Sequence, residues 1–133
     1  DVEKASAMLG YHYSLKGKIV DGYKLGQTIG FPTANIGKID QDKLIPANGV
    51  YIVKAYIESN EYPAMLNIGN RPSFEGDELS VEFHIPDFYG DLYNSVTKIE
   101  FYQRLRDEKK FNNIKDLVEQ LNKDRQKTLA YFS

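Results

Sequence analysis

Hydrophobic and polar positions alternate with a period near two through most of this chain and switch to a helical period only near its two ends. Residues 13–20, the stretch opened by Pro32, and residues 49–57, 61–68, 79–85 and 95–104 carry β-branched and aromatic residues and predict strands. Glu58-Ser59-Asn60 predicts the turn of a hairpin. Polar stretches with Gly and Pro predict loops at 21–30, 37–48, 69–77 and 86–94. Toward the C-terminus Ile114, Leu117, Val118, Leu121 and Arg125 follow helical spacing, with Asn113 placed as N-cap and Asp116 three residues on. A shorter helix is predicted from Asp1 to Leu9, with Val2, Ala5, Met8 and Leu9 on one face, Asp1 capping its start and Gly10 ending it. Such a short helix is unstable alone, so it either docks on the domain or is the tail of something upstream. Five or six antiparallel strands and one late helix predict an all-β fold, a small barrel whose helix covers an end or an open flank. A doubly wound α/β fold is disfavoured, because no helices separate the strands.

Composition narrows the function classes. The 133 residues fit one domain, residues 11–133, with its own core, and 41% hydrophobic with 27% charged residues is ordinary for a globular protein. The net charge of −2 offers no basic surface for nucleic acid, which argues against an oligonucleotide-binding barrel. Without Cys there is no disulfide framework or thiolate metal site, and two His are too few for a histidine metal centre. No apolar run approaches a membrane span and no signal peptide is visible, so a cytoplasmic location is expected. The first residue is Asp1 rather than Met, which suggests a fragment or a processed form.

Four stretches carry candidate chemistry. In Gly30-Phe31-Pro32-Thr33-Ala34-Asn35, residues two apart point the same way in an extended chain, so Thr33 and Asn35 present two neutral oxygens side by side. Such oxygens suit Mg²⁺ when phosphates supply its other ligands, and equally suit a turn. In Val81-Glu82-Phe83-His84-Ile85 the apolar residues share one face, leaving Glu82 and His84 on the other. Glu82 is a candidate general base or a solvent-facing Glu, and His84 a hydrogen-bonding partner. The glycines at 22, 26 and 30 match neither a P-loop nor GxGxxG, yet let backbone N–H groups approach an anion. Arg104-Leu105-Arg106-Asp107-Glu108-Lys109-Lys110 is either solvated surface or a grip on phosphate or a planar ring.

The order of these stretches is more specific than any one of them. A glycine loop, GFPTAN, Asn67-Ile68-Gly69-Asn70-Arg71-Pro72, VEFHI, Asp87-Phe88-Tyr89-Gly90-Asp91-Leu92-Tyr93 and RLRDEKKF closely resemble riboflavin kinase over residues 11–129, and more narrowly the C-terminal module of the bacterial bifunctional riboflavin kinase/FAD synthetase. The resemblance implies a six-stranded antiparallel Greek-key barrel with a C-terminal α-helix. It implies phosphorylation of riboflavin by MgATP to FMN and ADP, with Thr33 and Asn35 as Mg²⁺ ligands and Glu82 as catalytic base. It further implies a nucleotide flap that includes Gly22, Lys24, Gly26 and Gln27, with Tyr89 near the adenine and Arg106 and Lys109 at the flavin. Residues 1–10 then link the barrel to an upstream adenylyltransferase domain. One departure stands in the flap: Gln27 occupies the place of the family's basic residue, and Lys24 is the candidate replacement. The rival from another class is a non-catalytic flavin-binding barrel, against which the joint presence of Glu82, Thr33 and Asn35 speaks.

Overall fold

The structure, a computed structural model, describes residues 1–10, 12–20, 30–37, 39, 45–73, 76–88, 92 and 95–133. Six strands, β1 (Ser14–Val20), β2 (Ala34–Gly37), β3 (Gly49–Ile57), β4 (Asn60–Ser73), β5 (Gly76–His84) and β6 (Val96–Arg106), close an antiparallel barrel in the order β1-β2-β5-β4-β3-β6. Strands β3, β4 and β5 follow one another as neighbours and β6 returns beside β3, which is a Greek key. Closure through the β1–β6 pair completes the ring of six strands, so a free edge is left only where a strand runs on beyond its neighbour.

Alternation sorts the side chains. Leu15, Ile19, Val53, Leu66, Ile68, Phe83, Ile99 and Phe101 fill the interior, each nearly inaccessible to solvent. The start of β3 is buried on both faces: Val50 and Ile52, outside the barrel, are as hidden as Tyr51 and Val53 inside it. A second apolar layer therefore covers this flank, and helix α2 (Ile114–Tyr131) lies over the outer face of β4 to provide it. The Asn113 side chain caps α2 by accepting from the Asp116 backbone N–H at 2.8 Å. The expected apolar stripe is half-buried at Leu117, Val118 and Leu121 but not at its start. Ile114 is 56% exposed, and the two residues α2 buries fully are Asp124 and Thr128.

Helix α1 (Val2–Leu9) is capped by the Asp1 carboxylate, which accepts from the N–H groups of Glu3 and Lys4, and Gly10 follows it in the left-handed region. The helix packs against β6 and Val2 enters the core, whereas Met8, expected on the same face, is 80% exposed. The turn at Glu58 and Ser59, both at positive φ, joins Ile57 to its partner Asn60 as a two-residue hairpin.

The loop expected at 69–77 is instead mostly ladder, since Gly69 pairs with Ser80, Pro72 with Asp77 and Ser73 with Gly76. The β3–β4 pairing stops at Gly49 and Ile68, so beyond that point, among the described residues, β4 pairs with β5 alone. Pro72 thus lies on an edge, where a strand tolerates its missing N–H. Strand β6 likewise runs to Arg106, two residues beyond its expected end at Arg104.

Candidate active site on the outer barrel face

Register builds the site. Asn35 of β2 stands opposite Glu82 of β5, Glu82 opposite Asn67 of β4, Asn67 opposite Val50 of β3, and Val50 opposite Arg106 of β6. Directly opposed residues of antiparallel strands share a face. Asn35, Glu82, Asn67, Val50 and Arg106 therefore form one row across five strands, on the outside of the barrel. Arg106 joins the row because the β3–β6 register slips twice: Val53 pairs with Phe101 but Ile52 with Gln103, and Tyr51 with Arg104 but Val50 with Arg106, which leaves Tyr102 and Leu105 as extra residues.

A cavity of about 430 Å³ opens over this row, between the barrel wall and α2. Val50, Met65, Phe111, Leu117 and Leu121 give it apolar walls, and Thr33, Asn67, Glu82, Arg106 and Lys109 supply its polar groups. Thr33, Glu82, Arg106 and Lys109 thus line one cavity. Asn35 stands beside Glu82 in the row without lining the cavity wall. Gly22, Lys24, Gly26, Gln27 and Tyr89 lie outside the described residues. Asn67 had no role assigned from sequence, although the register of β4 sets it beside Glu82. Its Oδ1 is buried without a hydrogen-bond partner, and so is Thr33 Oγ1. Native interiors contain few such orphans, and each invites an explanation.

His84, expected only as a hydrogen-bonding partner, fastens the site together. Its Nδ1 donates to the Pro32 carbonyl at 2.8 Å, and its ring lies 5.2 Å from that of Phe31, tying β5 to the approach of β2. Burial pushes the imidazole below its ordinary value of 6.5 and the Arg125 guanidinium acts the same way, against opposing effects of the Pro32 bond and Asp87. The native fold thus favours the neutral ring. The unfolded chain binds that proton more readily, so the contribution of His84 is complete above pH ~6.5 and is lost as pH falls through the lowered native value. The urea midpoint should therefore drop more steeply between pH 7 and 5 in wild type than in His84→Gln. Equal slopes would exclude this role.

Beyond His84 lies a smaller hollow of about 220 Å³, bordered by Pro32, Asp87, Phe88 and Arg125, with Arg125 paired to Asp87. Phe31 and His84 border both spaces. Among the described residues, no group of three or more His, Asp or Glu is placed to hold a metal ion.

The segment after β6 lies along the large cavity. Glu108 sits against Gly69 of β4, so close that a Cβ there would stand 2.6 Å from both carboxylate oxygens. The absence of a side chain at Gly69 is what seats Glu108. In Gly69→Ala the atoms that must yield are the end of a flexible side chain, so the melting temperature should move by only about 2–4 °C, corresponding to under about 1 kcal/mol. Amide exchange over residues 107–111 should rise instead. Unchanged exchange in that segment would mean that the seat does not hold it.

The chain is similar to known proteins over most or all of its length. A family model described as Flavokinase, riboflavin kinase, matches residues 9–132. Over its full length the chain is 44% identical to the bifunctional riboflavin kinase/FMN adenylyltransferase of Bacillus subtilis and 43% identical to that of Listeria monocytogenes. It spans 43% and 42% of the length of those two proteins. A solved Streptococcus pneumoniae structure described as a macrolide-efflux protein superposes with a TM-score of 0.89 at 36% identity, over 96% of this chain and 41% of that one. The riboflavin kinase of Trypanosoma brucei superposes with a TM-score of 0.66 at 30% identity, over 89% of this chain and 78% of that one.

Proposed function

The chain belongs to the riboflavin kinase family, and from that premise we propose that its outer-face cavity binds riboflavin and that Glu82 assists transfer of the ATP γ-phosphoryl group to the ribityl 5′-hydroxyl, giving FMN and ADP. The observation that carries the residue assignment is the row that sets Glu82 between Asn35 and Asn67 at a cavity with both apolar and polar walls. The hydroxyl oxygen forms the new bond to the γ-phosphorus, the bond to the β–γ bridging oxygen breaks, and the hydroxyl proton passes to the Glu82 carboxylate. Phosphoryl transfer has a loose transition state, so positioning and charge neutralisation weigh more than base strength. Asn67, whose side-chain oxygen is buried without a partner, is suited to accept from a ribityl hydroxyl and fix its approach.

Thr33 and Asn35 are the residues that would hold Mg²⁺ with the nucleotide. The orphaned Thr33 hydroxyl fits such a role, and two neutral oxygens suffice when phosphates complete the shell. When bound, the ion supplies neutralisation of charge on the phosphate oxygens. The hollow at Phe88 and Arg125 is the nucleotide side of this reading; the ATP-binding residues expected at Gly22, Lys24, Gly26, Gln27 and Tyr89 lie outside the described residues. Lys109, at the cavity wall, belongs with Arg106 to the flavin side.

An upstream adenylyltransferase domain, reached through α1, and a cytoplasmic setting complete the proposal. They are supported by the bifunctional relatives. Incubation of the purified chain with riboflavin and MgATP should yield FMN and ADP in equal amounts. Flavin binding without ADP formation would instead identify a non-catalytic flavin carrier.

A further inference from the structure

Resting on that flavokinase reading, we infer that Asp124 is a positioning residue for the flavin: it holds the Arg106 guanidinium by its edge, so that Arg106 meets the planar isoalloxazine with its flat face and does not serve as a phosphate ligand. The contacts are specific. Arg106 Nε lies 3.1 Å from both Asp124 carboxylate oxygens, and Nη2 donates to Oδ2 at 2.7 Å. The third nitrogen, Nη1, donates to the Asp107 carbonyl at 3.0 Å. Most of the donor fork is thereby used inside the protein. Asp124 is 1% exposed and is itself held, since Gln120 Nε2 donates to its Oδ1 at 3.0 Å and Thr128 Oγ1 donates to its backbone carbonyl at 2.8 Å.

Two consequences separate a ring from a phosphate as the group met by Arg106. As a unit the ion pair carries no net charge, and an incoming phosphate would also approach the Asp124 carboxylate. A flat, weakly charged ring loses nothing by that pairing and gains contact with the guanidinium plane. Position agrees with this. Arg106 stands three strand spacings from Glu82 along the row, about 14 Å of curved sheet at roughly 4.8 Å per spacing. With the reacting hydroxyl at Glu82, the ribityl chain separates that end from the ring; Val50 stands opposite Arg106, and Leu117 and Leu121 wall the same cavity. The same pair ties the end of β6 to α2, so the helix and the arginine plane are set by one contact.

The test is a fluorescence titration with riboflavin and with FMN, each in the presence of MgADP, on wild type and on Arg106→Lys, Asp124→Asn and Asp124→Glu, alongside thermal melts and steady-state kinetics. Arg106→Lys keeps the charge and a partner for Asp124 but loses the plane, and should bind riboflavin and FMN about tenfold more weakly, both by the same factor. Asp124→Asn should show a similar loss that enters KM for riboflavin rather than kcat, and Asp124→Glu should recover part of it. A loss confined to FMN would make Arg106 a phosphate ligand and overturn the inference. Unchanged affinities with lowered melting temperatures would reduce the pair to a strut and also overturn it. If Asp124→Asn does not fold, Arg106→Lys and Asp124→Glu decide the matter by the same criteria. A wild-type chain that binds neither flavin would overturn the flavokinase reading itself, and this inference with it.

Discussion

Glu82→Gln is expected to slow single-turnover ADP formation at saturating MgATP by about 10²–10⁴-fold, the usual worth of general-base assistance, equivalent to about 3–5 kcal/mol of barrier. Riboflavin binding should stay near wild type. Glutamine keeps the shape and one acceptor oxygen and can still sit between Asn35 and Asn67, so the row survives the change. The lost property is the capacity to take a proton. Glu82→Asp keeps that capacity one methylene short of its target and should retain partial activity. A Glu merely exposed on a strand would leave the rate untouched in both variants. Full wild-type turnover in Glu82→Gln would therefore remove Glu82 from the mechanism and leave phosphoryl transfer to positioning and metal alone.

Why Glu82 could be singled out before the fold was in view, and Asp124 could not, is a matter of which physics is local. Strand periodicity is local, so Val81, Phe83 and Ile85 mark the core face and leave Glu82 and His84 opposite. Alternation does not say which outer faces are covered. That depends on α2 folding back over β4, and it distinguishes a catalytic wall from ordinary solvent-facing strand. The cross-strand row is non-local as well. Asn35, Asn67 and Arg106 are far apart in the chain, and the last reaches the row only through the slips at Tyr102 and Leu105. Pro72 and Gly76 carry strong turn chemistry, which hid the continuation of β4 and β5, because a strand with one free edge accepts residues that a central strand rejects. Asp124 carries the opposite signal from its role: on a helix an Asp reads as solvent-facing, and its pairing with Arg106, with a further bond from Gln120, makes its burial tolerable. The roles of Thr33 and Asn35 were suggested by motif order. The burial of the Thr33 hydroxyl is information that the structure adds.

That burial shapes the second large effect. Thr33→Ala and Asn35→Ala should each lower kcat/KM for riboflavin phosphorylation by about 10²–10³-fold, because loss of an oxygen ligand to a phosphate-bound cation removes several kcal/mol of transition-state stabilisation. Stability should part company with activity, most clearly at Thr33. A buried hydroxyl without a hydrogen-bond partner is a cost to the fold, and deleting it removes that cost along with the function. Thr33→Val, which keeps the volume, should therefore melt at or above the wild-type temperature while phosphorylating riboflavin as poorly as Thr33→Ala. A turn-closing Thr predicts the reverse order, with lost stability and preserved turnover. Dependence on the cation gives an independent readout: the half-saturating Mg²⁺ concentration at fixed ATP should rise in both alanine variants. Activity within about threefold of wild type in both, with an unchanged Mg²⁺ requirement, would detach Thr33 and Asn35 from the metal. The neutral oxygens of the β2 approach would then serve only to close the barrel beside His84, whose bond to the Pro32 carbonyl already holds that segment in place.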